Sequence, residues 1–121
     1  MSIKNVVSVI LRSDSELYLI QLRDNFPSIV FPGQWGLFGG TIEVGESPWE
    51  AAFRELKEEI FFTPEEIHEV LQYVRGNYHI NVCTAKIDCP LSSLQLHEGS
   101  DFGMFSREEI FSESLYSQKF R

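Results

Sequence analysis

The stretch from residue 39 to residue 62, GGTIEVGESPWEAAFRELKEEIFF, constrains this chain more than any other part of it. Ser47 can cap a helix, Pro48 suits the first helical position, and Glu50 completes a capping box. Apolar residues then recur at helical spacing, at Trp49, Ala52, Phe53, Leu56 and Ile60. The stretch therefore predicts an amphipathic helix that follows a Gly-Gly pair at the end of a strand.

Three carboxylates border the apolar face of this predicted helix. At about 100° per residue, Glu55, Glu58 and Glu59 fall within an arc of about 100° beside the apolar residues. Like charges at these spacings repel one another, and bound Mg²⁺ or Mn²⁺ would relieve that repulsion. A solvated acidic face would show the same pattern, so the helix alone leaves both interpretations open.

The residues around the helix favour the metal site. Gly39 and Gly40 permit a close approach of backbone to ligand, so a carbonyl there could join the metal ligands. Glu46 can reach back toward Arg54 as an ion pair. Arg54 could lock the orientation of the adjacent Glu55, or it could simply pair with the carboxylate four residues later in the helix. The sequence leaves these two roles of Arg54 open.

The spacing of these residues resembles the Nudix box of the MutT-type hydrolases. The family pattern is Gly, five residues, Glu, seven residues, Arg-Glu, an aliphatic residue, any residue, Glu-Glu, any residue, Gly and an aliphatic residue. The residues in register are Gly40, Glu46, Arg54, Glu55, Leu56, Glu58, Glu59 and Phe62. WGLFGG before the box and MFSREEI near the end of the chain extend the resemblance over most of the sequence.

One residue departs from the family pattern. Phe61 occupies the penultimate box position, where the family has a Gly. A left-handed conformation at the end of a helix suits Gly and is sterically costly for Phe. We therefore expect the helix to run on toward Thr63, with the metal site intact because its carboxylates lie upstream.

The resemblance implies an α/β fold, a Nudix-like α/β/α sandwich around a mixed β-sheet, as a single domain over residues 1–121 with the box at 40–62. It also implies one to three Mg²⁺ or Mn²⁺ ions on a pyrophosphate. The implied metal ligands are the Gly39 carbonyl, Glu55, Glu58 and Glu59, while Gly40 and Glu46 have structural roles. The general base would be Glu55, oriented by Arg54, or Glu98 on a loop before the closing strand. Glu98 could equally be a solvated loop acid.

The resemblance implies hydrolysis of the phosphoanhydride bond in a nucleoside diphosphate derivative, either a nucleoside triphosphate or a nucleotide sugar. Arg23 and Phe31 are candidates for substrate binding, because the aromatic-rich segment 26–32 could close over a base or a sugar. That segment could equally pack on the sheet edge. Two alternatives stay open: a glycosyl hydrolase of the GDP-mannose mannosyl hydrolase type, and a non-catalytic nucleotide-binding module.

Composition limits the class of partner. Ten Lys and Arg against eighteen Asp and Glu give a formal net charge of −8, which repels polymeric nucleic acid. A small nucleotide could still bind through divalent cations. The apolar run Val6–Leu11 is too short for a signal or a membrane span. We therefore expect a cytoplasmic protein with reduced thiols and no membrane partner, and the sequence leaves a homodimer open.

The remaining elements follow from turns and alternation. Hairpins are predicted for Val6–Leu11 with Leu17–Leu22, and for Val70–Arg75 with Tyr78–Ile87. Further predictions are a strand over Trp35–Phe38, a short helical turn at Thr63–Glu66, a strand over Phe102–Phe105 and a closing helix capped by Ser106.

Overall fold

The computed structural model describes residues 3–22, 35–94 and 101–110, and these form seven strands and two α-helices. A 3-10 turn lies at Leu91–Ser93. The elements, in chain order, are β1 Lys4–Arg12, β2 Leu17–Leu22, β3 Trp35–Gly36, β4 Phe38–Thr41, α1 Pro48–Ile60, β5 His68–Arg75, β6 Tyr78–Lys86, β7 Asp101–Ser106 and α2 Arg107–Ile110. Both predicted hairpins, the box helix and the closing strand are confirmed.

Strand β1 lies at the centre of a mixed sheet with the order β3-β2-β1-β6-β5, in which β4 also pairs with β1 and β7 with β2. Its whole length runs parallel to β6. Its other edge is shared, because β4 pairs with residues 6–9 and β2 pairs with Leu11 and Arg12. Strands β1 and β2 therefore diverge away from Leu11. The segment with β3 and β4 lies between them, because β3 pairs with β2 and β4 pairs with β1. The predicted single strand Trp35–Phe38 is divided at Leu37 by this crossing.

Helix α1 packs against one face of the sheet, chiefly over β4 and β1. Its capping box forms as predicted: the Ser47 hydroxyl accepts from the Glu50 amide, and the Glu50 carboxylate accepts from the Ser47 amide. The core between helix and sheet contains Val7, Val9, Leu11, Leu19, Phe38, Ala51, Ala52, Leu56, Ile60, Phe62, Cys83, Ala85, Ile87 and Leu94. The predicted α/β sandwich around a mixed sheet is confirmed.

Helix α1 ends at Ile60, so the expectation that it runs on toward Thr63 is wrong. Phe61 adopts the left-handed conformation, with φ 56° and ψ 39°, and the residue is 53% exposed. The Phe62 amide donates to the Leu56 carbonyl at 3.4 Å, and the Phe62 side chain is buried in the core. Burial of the next residue and the cap hydrogen bonds offset the steric cost of a Phe in this conformation.

The short helical turn predicted at Thr63–Glu66 is also wrong, because residues 61–67 contain no helix. Pro64 is buried, and it restricts Thr63 to extended conformations. Strand β5 begins at His68, so this segment carries the chain from the end of α1 to the sheet. The capping-box pattern is local, whereas the path of the chain is determined by the two elements that it connects.

Phe61→Gly is expected to raise the free energy of unfolding by about 0.5–1 kcal/mol. Gly removes a left-handed penalty of roughly 1–2 kcal/mol and loses part of that gain through the greater entropy of its unfolded state. Thermal melts of the two proteins measure the difference. Phe61→Ala is the control, because it removes the ring and keeps the Cβ. A Gly variant no more stable than the Ala variant would show that the backbone conformation carries no cost here.

Candidate active site

A glycine pair brings strand β4 into contact with two carboxylates of α1. The Gly39 amide donates to Glu59 Oε2 at 3.1 Å. A Cβ on Gly39, which has φ +151°, would lie 1.9 Å from the Val7 carbonyl oxygen. A Cβ on Gly40 would lie 2.5 Å from Glu55 Oε1. Only glycine therefore lets the strand approach this closely, and the glycine pair and both carboxylates form one compact unit.

Arg54 connects the helix to the loop that precedes it. Its guanidinium donates to Glu46 through Nε at 2.8 Å and Nη2 at 3.0 Å, which is a bidentate ion pair. Nη1 donates to Glu55 Oε1 at 2.9 Å and, more weakly, to Glu58 Oε2 at 3.5 Å. Nη2 also donates to the Thr41 carbonyl at 2.9 Å. Arg54 therefore contacts both of the carboxylates that the sequence left open as its partners, and the contact with Glu55 is the shorter.

The three helix carboxylates differ in exposure. Glu59 is 3% exposed and lies against the glycine pair. The side chain of Glu55 is 13% exposed and that of Glu58 is 54% exposed. The carboxylates thus extend from the edge of the core to the solvent. At about 100° per residue, Glu59 lies nearest the apolar face of the helix and Glu58 farthest from it, which matches this order of exposure.

The loop between β4 and α1 is held by Glu46. The Glu43 amide donates to Glu46 Oε1 at 3.0 Å, and the Glu46 amide donates to the Glu43 carbonyl at 3.0 Å. Gly45 turns the chain with φ +84°. The pKa of Glu46 is lowered from 4.5 to about 2. The hydrogen bond from Arg54 is the largest cause, and the hydrogen bond from the Glu43 amide is the next. The same pair raises the pKa of Arg54, so both groups stay charged at neutral pH.

Glu46→Gln is expected to flatten the acid dependence of stability. The folded pKa of Glu46 is depressed, so its contribution is present above about pH 4.5 and is lost as the pH falls toward 2. Denaturant unfolding curves at pH 5 and pH 3 give the free energy of unfolding at each pH, and the decrease between the two is compared for each protein. Glu65→Gln, in the segment between α1 and β5, is the control. Equal losses in wild type and in Glu46→Gln would contradict the expectation.

The carboxylates beside the glycine pair are oxygen donors of the kind that a divalent ion requires. Within residues 3–22, 35–94 and 101–110, no group of three or more acidic, His or Cys side chains could hold a metal ion by itself. Mg²⁺ in phosphate-processing sites is usually bound by one or two carboxylates, with water and phosphate oxygens completing its coordination. Glu55 and Glu59 are hard oxygen donors beside one glycine pair, and a Cβ at Gly40 would fill the space beside Glu55. The residues present fit such a partial shell.

The structure brings most of the predicted site residues together. Those in one cluster are Gly39, Gly40, Glu46, Arg54, Glu55, Glu58 and Glu59. Glu98, Arg23 and Phe31 lie outside the described residues. The Thr41 carbonyl was not predicted as a partner of Arg54, since a backbone contact leaves no signal in side-chain identity. The burial of Gln21 was not predicted either: this polar residue lies in the apolar run LYLIQL and is 2% exposed.

Comparison with known proteins gives the family context of this cluster. The family model described as NUDIX domain matches residues 1–110. Nucleoside triphosphatase NudI of Salmonella agona is 40% identical over 57 residues, which cover 47% of this chain and 39% of that protein. The matched segment is thus well under half of that relative's length.

Two solved structures share the fold. The MutT protein from Methanosarcina mazei superposes with a TM-score of 0.71 at 23% identity, covering 98% of this chain and 90% of that one. The NUDIX domain of Shewanella oneidensis NrtR, solved with ADP ribose, gives 0.70 at 20% identity, covering 100% and 90%. Among the described helices, none is long and apolar enough to cross a membrane.

Proposed function

The chain belongs to the Nudix family, and from that premise we propose that it hydrolyses a phosphoanhydride bond of a nucleoside triphosphate with the help of Mg²⁺ or Mn²⁺. The observation that carries the proposal is the placement of Glu55, which Arg54 holds at 2.9 Å beside Gly40. The similarity to a nucleoside triphosphatase favours a triphosphate over a nucleotide sugar as substrate.

The proposed metal ligands are Glu55, Glu58, Glu59 and the Gly39 carbonyl. When bound, Mg²⁺ or Mn²⁺ neutralises pyrophosphate charge and lowers the pKa of a water molecule toward neutrality. The Gly39 amide donates to Glu59 at 3.1 Å, so strand β4 contributes to the orientation of this carboxylate. Glu58, the most exposed of the three, would meet the substrate side of the site. The net charge of −8 makes cations necessary for binding a polyphosphate.

The proposed proton acceptor is Glu55. Arg54 donates to Oε1 of Glu55, and Glu46 holds Arg54 in turn through a bidentate pair. This chain of contacts restricts the carboxylate to one orientation, which general-base catalysis requires. Glu55 would take a proton from the attacking water molecule. As it does so, the water oxygen would bond to phosphorus and the anhydride bond would break.

A substrate panel tests the proposal and separates it from its alternatives. The purified chain is incubated with nucleoside triphosphates and nucleotide sugars at millimolar Mg²⁺, in water labelled with ¹⁸O. Label in a phosphate product supports phosphoanhydride hydrolysis, whereas label in a released sugar supports the glycosyl hydrolase. Tight nucleotide binding without turnover of any substrate would support the non-catalytic module.

Metal dependence is measured separately from turnover. Mn²⁺ or Mg²⁺ should raise the melting temperature of the wild type, and Glu59→Gln should reduce that shift. Glu65→Gln again serves as a control for the loss of one negative charge. An unchanged melting temperature at millimolar metal would count against the proposed ligands.

A further inference from the structure

Gln21 is a buried amide at the point where the sheet divides. Its side chain is 2% exposed, and its position two residues after Leu19 places it on the core face of β2. Its Nε2 donates to the Leu37 carbonyl at 3.4 Å. Burying an amide carries a free-energy cost, which this long hydrogen bond offsets only in part.

Leu37 lies in the crossing between two strand ladders. The residue before it, Gly36, pairs with Gln21 of β2, and the residue after it, Phe38, pairs with Val9 of β1. The Leu37 carbonyl therefore lies where the chain leaves one ladder and joins the other. Leu37 is partly buried, and the Gln21 amide supplies its carbonyl with a hydrogen-bond partner.

We infer that Gln21 is a positioning residue whose amide fixes this crossing and thereby places the glycine pair against the helix carboxylates. Leu37 is followed after one residue by Gly39, whose amide meets Glu59 at 3.1 Å. The carboxylate of Glu55 fits beside the next residue, Gly40, only because Gly40 lacks a Cβ. A small displacement of the crossing would move both contacts. Its consequence for turnover rests on the proposed function, but the placement itself does not.

A second buried amide provides a matched control. Asn81 is 5% exposed, and its Nδ2 donates to the Val6 carbonyl at 3.1 Å. Its strand β6 is paired with β1 over the whole span Lys4–Arg12, so the ladder itself maintains the register there. The glycine pair lies in the much shorter ladder of β4 with residues 6–9 of β1, and Leu37, just before that ladder, belongs to neither β3 nor β4. Removal of the Asn81 amide should therefore leave the glycine pair in place, whereas removal of the Gln21 amide should not.

Amide hydrogen exchange at Gly39, measured without substrate or metal, tests the inference. Gln21→Met keeps the length and removes the donor. We expect Gly39 exchange at least about 10-fold faster than in wild type, because its amide must leave Glu59 to exchange. Exchange in β6, which lies on the opposite edge of β1 from β4 and pairs with β1 and β5, should remain unchanged. Asn81→Leu should leave Gly39 protection at the wild-type level.

Unchanged Gly39 protection in Gln21→Met would overturn the inference. If that variant loses protection uniformly, Gln21→Asn provides the second test, since it keeps an amide that is one methylene too short to reach Leu37. Uniform loss in both variants would also overturn it, because Gln21 would then support the whole fold. If the wild-type protein has no hydrolase activity and Gly39 still exchanges faster in Gln21→Met, the result supports the placement and refutes the proposed function. In an active enzyme, Gln21→Met should lower kcat more than it raises KM.

Discussion

Glu55→Gln is expected to lower kcat by about 10²- to 10⁴-fold at saturating Mg²⁺, the range typical of losing a general base. The substitution removes a charge and a proton acceptor while it keeps the shape of the side chain. Arg54 retains its bidentate partner Glu46, so the loop before α1 should keep its conformation. Steady-state kinetics on the best substrate of the panel measure the effect, and a melting curve checks that the variant is folded.

Glu98→Gln is the paired comparison. If Glu55 is the base, the Glu98 variant should lose much less activity. If the loop acid is the base, the order reverses: Glu98→Gln becomes the severe change, and Glu55→Gln mainly raises the metal concentration required. We favour Glu55 because Arg54 holds it at 2.9 Å. Two nearly wild-type variants would contradict the catalytic interpretation as a whole.

The helix and its carboxylates were predictable because their determinants are local. The capping box at Ser47 and the helical spacing of apolar residues involve neighbours in sequence. The angular position of Glu59, closest to the apolar face, corresponds to its burial in the structure. Glycine at 39 and 40 indicated a close backbone approach, and the structure identifies what approaches: the Val7 backbone and the Glu55 carboxylate.

The end of the helix could not be predicted from local propensity. Phe in a left-handed conformation is unfavourable by itself, which is why a longer helix was expected. The core required Phe62 on the buried side, and a turn at Phe61 satisfies that requirement. Tertiary burial of one residue thus overrode the backbone preference of its neighbour. The Thr63–Glu66 pattern failed for the same reason, since the chain there is needed to reach β5.

The change of pairing partner at Leu37, where the sheet divides, could not be predicted from sequence patterns either. A run such as Trp35–Phe38 indicates a strand but not which neighbour it pairs with, and here the neighbour changes within the run. Pairing partners depend on long-range contacts that alternation does not encode. Arg54 shows an intermediate case, because its partner Glu46 was expected from the box but its bond to the Thr41 carbonyl was not.

Gly40→Ala is expected to leave the protein folded and to lower kcat by about 10²-fold or more. The new Cβ would lie 2.5 Å from Glu55 Oε1, so the carboxylate must move away from the orientation that Arg54 gives it. The clash is with the end of a flexible side chain, which can shift at small cost to stability. A displacement of about 1 Å in a catalytic group is sufficient for a loss of this size. Kinetics and melting curves measure the two effects separately.

Gly39→Ala should have the opposite character. Its Cβ would lie 1.9 Å from the Val7 carbonyl oxygen, and its φ of +151° disfavours any side chain, so we expect destabilisation on the order of 4 kcal/mol.

The double variant Gly40→Ala with Glu55→Gln should be hardly slower than Glu55→Gln alone, because both changes act through one carboxylate. Losses that multiply would show that Gly40 acts through something other than Glu55. A Gly40→Ala enzyme with wild-type kcat would mean that the position of Glu55 beside the glycine pair does not matter for turnover.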